Sequence, residues 1–188
     1  MKEKILLHIC CAVCGAYLIE LLKEKFEVIL YYCNSNIWPE EEYYKRLESV
    51  KKLAQEYQVD LIVEKYDHDS WVEKVKGLEK EAEGGKRCEV CFQERLGKTI
   101  DYALQNKIKY FSTTLPISPY KSEDLINEIG RKMSLNGEIT FLAFSEIEKM
   151  FQKDKKELWK KTRELAKKLN LYHQKYCGCE FSLRQMDK

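Results

Sequence analysis

Proline and glycine are scarce in this chain, three and eight residues in 188. So few breakers exclude a linker-like or low-complexity protein. With no composition shift along its length, the chain reads as one domain, residues 1–188, able to bury roughly two-thirds of its unfolded surface. Long hydrophobic runs are also missing: nothing approaches the roughly 20 residues of a membrane span. The short apolar run near the start breaks off at His8 and the cysteines, unlike a signal peptide. These absences point to the cytoplasm and away from membranes. An excess of one charge is lacking too, because 33 Lys and Arg oppose 31 Asp and Glu. Attraction to a polyanion would have to come from clustering. Histidine is limited to three residues. His8, in an apolar run, reads as a hydrogen-bonded core residue, and His68 and His173 as solvated.

Cysteine is what the chain has in quantity. Eight thiols in a reducing compartment argue for metal binding or redox chemistry rather than disulfide staples. Three fall within five residues in His8-Ile9-Cys10-Cys11-Ala12-Val13-Cys14-Gly15. They follow Ile5-Leu6-Leu7, a buried-strand pattern, and precede Ala16, Leu18, Ile19 and Leu22 at helical spacing. The trio therefore sits where a strand ends and a helix begins, where free N–H groups and the helix dipole favour thiolate. Cys88-x-x-Cys91 opens a second helix after Gly84-Gly85. A thioredoxin-like role does not suit a motif placed after a Gly-Gly break. Together the two motifs supply five thiols, one more than a zinc tetrahedron or an iron–sulfur cubane needs. Adjacent Cys10-Cys11 suits a larger cluster, or two metals side by side, better than one small ion. Cys177-Gly178-Cys179 differs: its disulfide would close a small, strained and labile ring suited to electron transfer. Two further ligands or free surface thiols are the alternatives. Cys33, alone at a strand end, reads as core packing.

The pattern between these motifs alternates. Strands are expected at Lys4–Ile9, Phe26–Tyr32, Asp60–Tyr66, Ile108–Thr113 and Ile139–Phe144. Helices lie between them, one capped by Ser70 with Glu73 completing a capping box. A long, interruptible amphipathic helix runs from Ser145 to Leu169. This is an α/β fold: a largely parallel sheet of about five strands flanked by helices, HUP/Rossmann-like, as a single domain. All three prolines lie in loops leaving strand C-termini, on the side where the cysteine trio leaves the first strand, so these loops should wall one pocket. Lys153–Lys168 carries eight basic residues against three acids, with Trp159 among them. It is the densest positive segment and a candidate for touching a nucleic-acid backbone.

The motifs resemble those of the QueH-type epoxyqueuosine reductases. The resemblance rests on Leu7-His8-x-Cys10-Cys11-Ala12-x-Cys14, on Asn34-x-Asn36-Ile37-x-Pro39 followed by Glu41-Glu42-Tyr43 and Arg46, and on Arg87-Cys88-x-x-Cys91-Phe92-x-x-Arg95-Leu96. It continues through Thr113-Thr114-Leu115-x-Ile117-Ser118-Pro119-Tyr120 and Tyr176-Cys177-Gly178-Cys179. Val13 and Trp38 depart from the family's usual proline and histidine. The resemblance implies cobalamin-independent removal of the epoxide oxygen from epoxyqueuosine in tRNA, the last step of queuosine synthesis. It implies a [4Fe-4S] cluster on Cys10, Cys11, Cys88 and Cys91, an adjacent iron or other divalent metal with Cys14 as its ligand, and a redox-active pair, Cys177 and Cys179. Asn34, Asn36, Thr113, Thr114 and Ser118 would contact the modified base, with Tyr120, Tyr32 or His8 as proton donor. The partners implied are a tRNA offering its anticodon loop and an unidentified electron donor. Two other expectations compete. An ATP pyrophosphatase-like HUP protein would carry a Gly/Ser-rich first loop, where this chain has cysteines. A zinc-stabilised RNA-binding domain would need no redox activity.

Overall fold

The computed structural model describes residues 2–135 and 137–186, with side chains described through residue 183. Five strands, β1 (Glu3–His8), β2 (Phe26–Tyr32), β3 (Asp60–Val63), β4 (Tyr110–Thr113) and β5 (Thr140–Phe141), form one sheet in the order β3-β2-β1-β4-β5. Every pairing is parallel. Helices α1 (Ala12–Lys25), α2 (Glu40–Tyr57), α3 (His68–Lys74), α4 (Lys86–Gln105), α5 (Glu123–Met133), α6 (Phe144–Phe151), α7 (Lys155–Lys168) and α8 (Glu180–Met186) make up the remaining regular structure, with a 3-10 turn at Leu115–Ile117.

The sheet forms because its central strands can be buried on both faces. Ile5, Leu6 and Leu7 of β1 and Leu30 and Tyr32 of β2 are wholly covered, as a parallel sheet under helices requires. α1 is buried from Ala12 through Ala16 because the sheet and helices α2 and α7 pack around it. Gly15 belongs to that tightness: a β-carbon there would come within 2.5 Å of Ile9 Cδ1.

The expected elements are present, with three local differences. β3 stops at Val63 instead of Tyr66, because it is an edge strand whose partner β2 ends at Tyr32, opposite Val63. β5 has two residues where Ile139–Phe144 had suggested six. Its remaining apolar residues, Leu142, Ala143 and Phe144, are buried as the lead into α6. The cap of α3 is Asp67, whose carboxylate accepts from Ser70 N at 3.1 Å. Asp and Ser cap almost equally well, so local chemistry does not choose between them. The long helix from Ser145 is interrupted, as its pattern allowed: Gln152 is left-handed, and Asp154 caps α7 by accepting from Glu157 N.

The chain winds outward from β1 through β2 to β3, then crosses back to β4 and β5 on the other side of β1. The order reverses between β1 and β4, so the loops after these strands separate and leave a crevice at the C-terminal edge of the sheet. His8 ends β1 beside Thr113, which ends β4. Both lead directly into that crevice.

Candidate active site

The strand-to-helix turn after β1 brings the Cys10, Cys11 and Cys14 sulfurs within 4.8 Å of one another, all buried. Cys11 is the N-cap position of α1, in extended conformation, so the adjacent thiols turn inward while Cys14 returns from the first helical turn. Hydrogen bonds from Cys11 and Cys14, helped by the nearby charges of Arg95 and Lys121, hold the Cys10 thiol well below its usual range. Its hydrogen bond to Cys10 is the largest influence pushing the Cys11 thiol up to about 12, and Cys14 rises for the same reason. The Gln174 amide adds a third donor to this cluster, Nε2 to Cys11 Sγ at 3.0 Å. Thr114 Oγ1 accepts from Cys10 N at 3.4 Å and lies 3.7 Å from the Cys10 sulfur.

Behind the trio stands a buried polar chain. Arg95 Nη2 donates to Asn34 Oδ1 at 2.6 Å, and Asn34 Nδ2 donates to Ile9 O at 2.9 Å. Arg95 Nε donates to His8 Nε2 at 3.3 Å. That nitrogen is therefore the acceptor, and Nδ1–H donates to Thr113 Oγ1 at 2.8 Å. Burial, reinforced by Arg95, lowers the His8 imidazole to about 3 and keeps it neutral.

A second set of thiols lies across the crevice. Cys88 accepts from Gly84 N at 3.2 Å. Cys91, one helical turn on, packs with Trp71, Val75, Cys179 and Phe181 in a small separate core. Burial raises both Cys88 and Cys91, and Cys177 and Cys179 are close enough to raise them further. The tail carrying Cys177 and Cys179 is tied down at its backbone. Arg46 Nη1 and Nη2 donate to the carbonyls of Cys177 and Tyr176 at 2.9 and 3.1 Å while its Nε meets Glu42 Oε1 at 2.8 Å. Gly178 O accepts from Trp38 N at 2.9 Å, and the Tyr176 hydroxyl donates to Trp38 O. Gly178 has φ +140°, and a β-carbon there would meet Arg46, Ile37 and Asn36 at 3.1–3.3 Å. All eight thiols are free.

Between the two sets opens a cavity of about 710 Å³. Cys10, Cys14, Ser118, Tyr120 and Cys177 line it, as do Arg46, Arg95, Lys121, Arg163 and Lys175, against the single acid Glu83. Cys177 also borders a small cleft shared with Cys88 and Lys121. Burial pulls Lys121 down, but Cys177, Cys10 and Cys14 more than offset it and keep the ammonium charged. Arg95 is likewise held charged against its burial by Cys91, Cys10 and Cys177.

The sequence-derived residues thus fall into groups. Cys10, Cys11 and Cys14 come together; Cys88, Cys91, Cys177 and Cys179 form a separate neighbourhood. Ser118 and Tyr120 are on the cavity wall. Asn34, Thr113 and Thr114 stand behind it as hydrogen-bond supports, and Asn36 is buried beside Gly178. Cys33 is buried in the core. His68 is a correction: its Nδ1–H donates to Ser35 O at 2.9 Å and its ring stacks between Tyr66 and Trp71, covered rather than solvated. Arg95, Lys121 and Gln174 were not singled out as site residues. For Arg95 a signal existed, since it occupies the buried stripe of α4 with Cys91, Phe92 and Leu96.

Buried soft donors at a topological switch point, with cations on the same wall, fit a metal–sulfur group. The unpartnered side-chain oxygen of Gln174, buried beside the trio, marks polar capacity this fold does not use internally. Fold and site together define a doubly wound α/β protein with a buried cluster of thiolate-type ligands.

The family model described as epoxyqueuosine reductase QueH matches residues 5–185. Epoxyqueuosine reductase QueH of Streptococcus pyogenes serotype M1 is 32% identical over 98% of this chain and 72% of its own length. That of Dehalococcoides mccartyi is 36% identical over 97% and 93%. Among solved structures, the U34-tRNA thiolase NcsA from Methanococcus maripaludis with its [4Fe-4S] cluster covers 98% of this chain and 80% of that one. It does so at 14% identity and a TM-score of 0.44, a likeness from which nothing is carried over. The chain belongs to the epoxyqueuosine reductase QueH family, and it is an oxidoreductase of queuosine biosynthesis. Among the described residues no helix is long and apolar enough to cross a membrane.

Proposed function

We propose that the protein reduces epoxyqueuosine to queuosine while the nucleoside is part of a tRNA, as the last step of the pathway and without cobalamin. The observation that carries the reading is the cavity itself, bounded on one side by Cys10 and Cys14 and on the other by Cys177. Removing an epoxide oxygen to leave an alkene consumes two electrons and two protons and releases water. A dithiol closing to a disulfide supplies the two electrons, so Cys177 on the cavity wall and Cys179 two residues on, both free, are assigned as the redox pair. Their strained ring reopens readily by exchange with an external reductant.

The cofactor set is Cys10, Cys11, Cys88 and Cys91 for a [4Fe-4S] cluster, with Cys14 available to a neighbouring metal. When bound, such a group supplies single-electron transfer and Lewis-acid stabilisation of the departing oxygen. Arg95 and Lys121 support this set, because each is held charged by thiols from both sides of the crevice. The same cations would stabilise negative charge developing on the substrate oxygen.

Three groups are candidates for the final proton. His8 is sealed between Arg95 and Thr113, and the Tyr32 hydroxyl is buried against Tyr43 O. Tyr120 is on the cavity wall and 83% exposed, and it is assigned as the donor. Ser118 turns the loop that presents it, through Tyr120 N to Ser118 Oγ at 3.4 Å. Asn34, Asn36, Thr113 and Thr114 set the shape of the base pocket from behind.

The deciding experiment is anaerobic purification with metal analysis, followed by assay on epoxyqueuosine-bearing tRNA with a strong reductant. A brown protein with about four to five irons per chain that yields queuosine is expected. A colourless protein holding one zinc, with no product, would sink the reading.

A further inference from the structure

The basic helix α7, together with Lys153 just before its Asp154 cap, carries two kinds of cation. Lys153, Lys155 and Lys161 each meet a carboxylate: Glu157 at 2.5 Å, Glu123 at 3.2 Å and Glu164 at 3.5 Å. Lys156, Lys160, Arg163 and Lys167 have no ion-pair partner among the described residues. Their spacing of four, three and four puts all of them on one helix face, and all four are exposed.

That face borders a groove of about 780 Å³ with Trp159, Ala166 and Leu171 among its lining. Its one acid, Glu164, is already engaged by Lys161. From Lys156 to Lys167 the helix rises about 16 Å. The groove does not stand alone, because Trp159, Arg163 and His173 line both it and the cavity between the thiol sets.

Unneutralised cations in a row, an aromatic face among them and a direct opening into a substrate cavity are the features that bind single-stranded nucleic acid. Cations track the phosphates while bases stack on the aromatic surface. We propose that the α7 groove is the track for the RNA strand next to the target nucleotide. Phosphates lie on Lys156, Lys160, Arg163 and Lys167, and Trp159 offers a stacking surface at the cavity mouth. The inference rests on the reading of the cavity as the receiver of an RNA-borne nucleotide, and it names the surface that holds the rest of that RNA.

The test uses the anaerobically purified holoenzyme, epoxyqueuosine-bearing tRNA and dithionite. The triple variant K156Q/K160Q/K167Q removes unpaired cations, and K153Q/K155Q/K161Q removes the same number of paired ones. The first should weaken tRNA binding by about tenfold or more near physiological salt. Its log Kd against log salt plot should flatten by about 2, since each single-strand phosphate contact contributes roughly 0.7. kcat at saturating tRNA should stay within about twofold of wild type while KM rises. The control should keep both the wild-type Kd and the wild-type slope. A groove variant with unchanged Kd and slope, in an enzyme that still makes queuosine, overturns the groove and leaves the functional reading standing. Unchanged tRNA binding with turnover slowed only when an acidic protein is the reductant would assign the groove to that protein and also overturn the proposal. A wild-type enzyme inactive on this tRNA removes the functional reading first, and the groove falls with it.

Discussion

The two thiol neighbourhoods face each other across one cavity but are built in opposite ways. Cys10, Cys11 and Cys14 come from five consecutive residues on the most buried strand-to-helix turn of the sheet, and their sulfurs lie within 4.8 Å. Cys88 and Cys91 open α4, whereas Cys177 and Cys179 arrive on a tail fastened to the Asn34–Pro39 loop and to Arg46. The first set gets its geometry from the core itself. Cys177 and Cys179 get theirs from hydrogen bonds to the backbone carbonyls of the tail, which can be loosened without disturbing the sheet. A group that must hold its ligands fixed belongs on the first kind of support. Thiols that form and break a bond at each turnover are better served by the second.

The widest separation between the two should appear with serine replacements. Cys10→Ser should strip visible absorption and iron and abolish turnover. The C177S/C179S double variant should lose turnover driven by dithiothreitol yet keep its absorption. If the double variant purifies colourless, Cys177 and Cys179 are ligands and the contrast collapses. Next in size is Tyr120→Phe. Loss of a general acid should lower kcat by about 10²-fold with KM little changed, read by single-turnover assay. A wild-type rate would give proton delivery to water instead.

Gly178→Ala probes the tail's attachment. Its positive φ and the three contacts within 3.1–3.3 Å make alanine cost about 1–3 kcal/mol. That cost should fall locally: faster amide exchange over residues 172–181, with iron content unchanged. Exchange that rises equally through β1 would show that the tail and the trio share one cooperative unit.

The smallest effect is read by pH. His8 is lowered to about 3 in the fold against 6.5 unfolded, so between these values the unfolded chain binds the extra proton. Stability is therefore complete above about 6.5 and falls with acidification, by up to about 1.4 kcal/mol per pH unit. Apoprotein melts from pH 7 to 5 should show that slope, and His8→Asn should flatten it.

What could be read from the sequence follows how local each feature is. β1 and β2 announce themselves because strands covered on both faces need unbroken apolar runs. The trio is visible because its members are neighbours in the chain. Arg95, Lys121 and Gln174 depend on thiols far away along the chain, and no local pattern assigns a charge to a partner at that distance. Arg95 gave the best hint, as a charge on the buried stripe of α4 between Phe92 and Leu96. β5 misled because Leu142, Ala143 and Phe144 are as buried in a connection as they would be in a strand. His68 looked solvated among Asp67, Asp69 and Ser70, yet stacking on Trp71 withdraws it from water.

The fastening of the tail also sets an order of events during synthesis. Residues 172–181 leave the ribosome after all five strands and α1 to α7, including Arg46 and the loop they bind. At translation speeds of about 5–20 residues per second, Cys88 and Cys91 spend several seconds in a nascent chain with no tail beside them. The trio's turn, the β4 loop and Arg95 are already made by then. Maturation of this protein can therefore proceed with the crevice still open on one side, and the arrival of Tyr176 and Cys177 closes it.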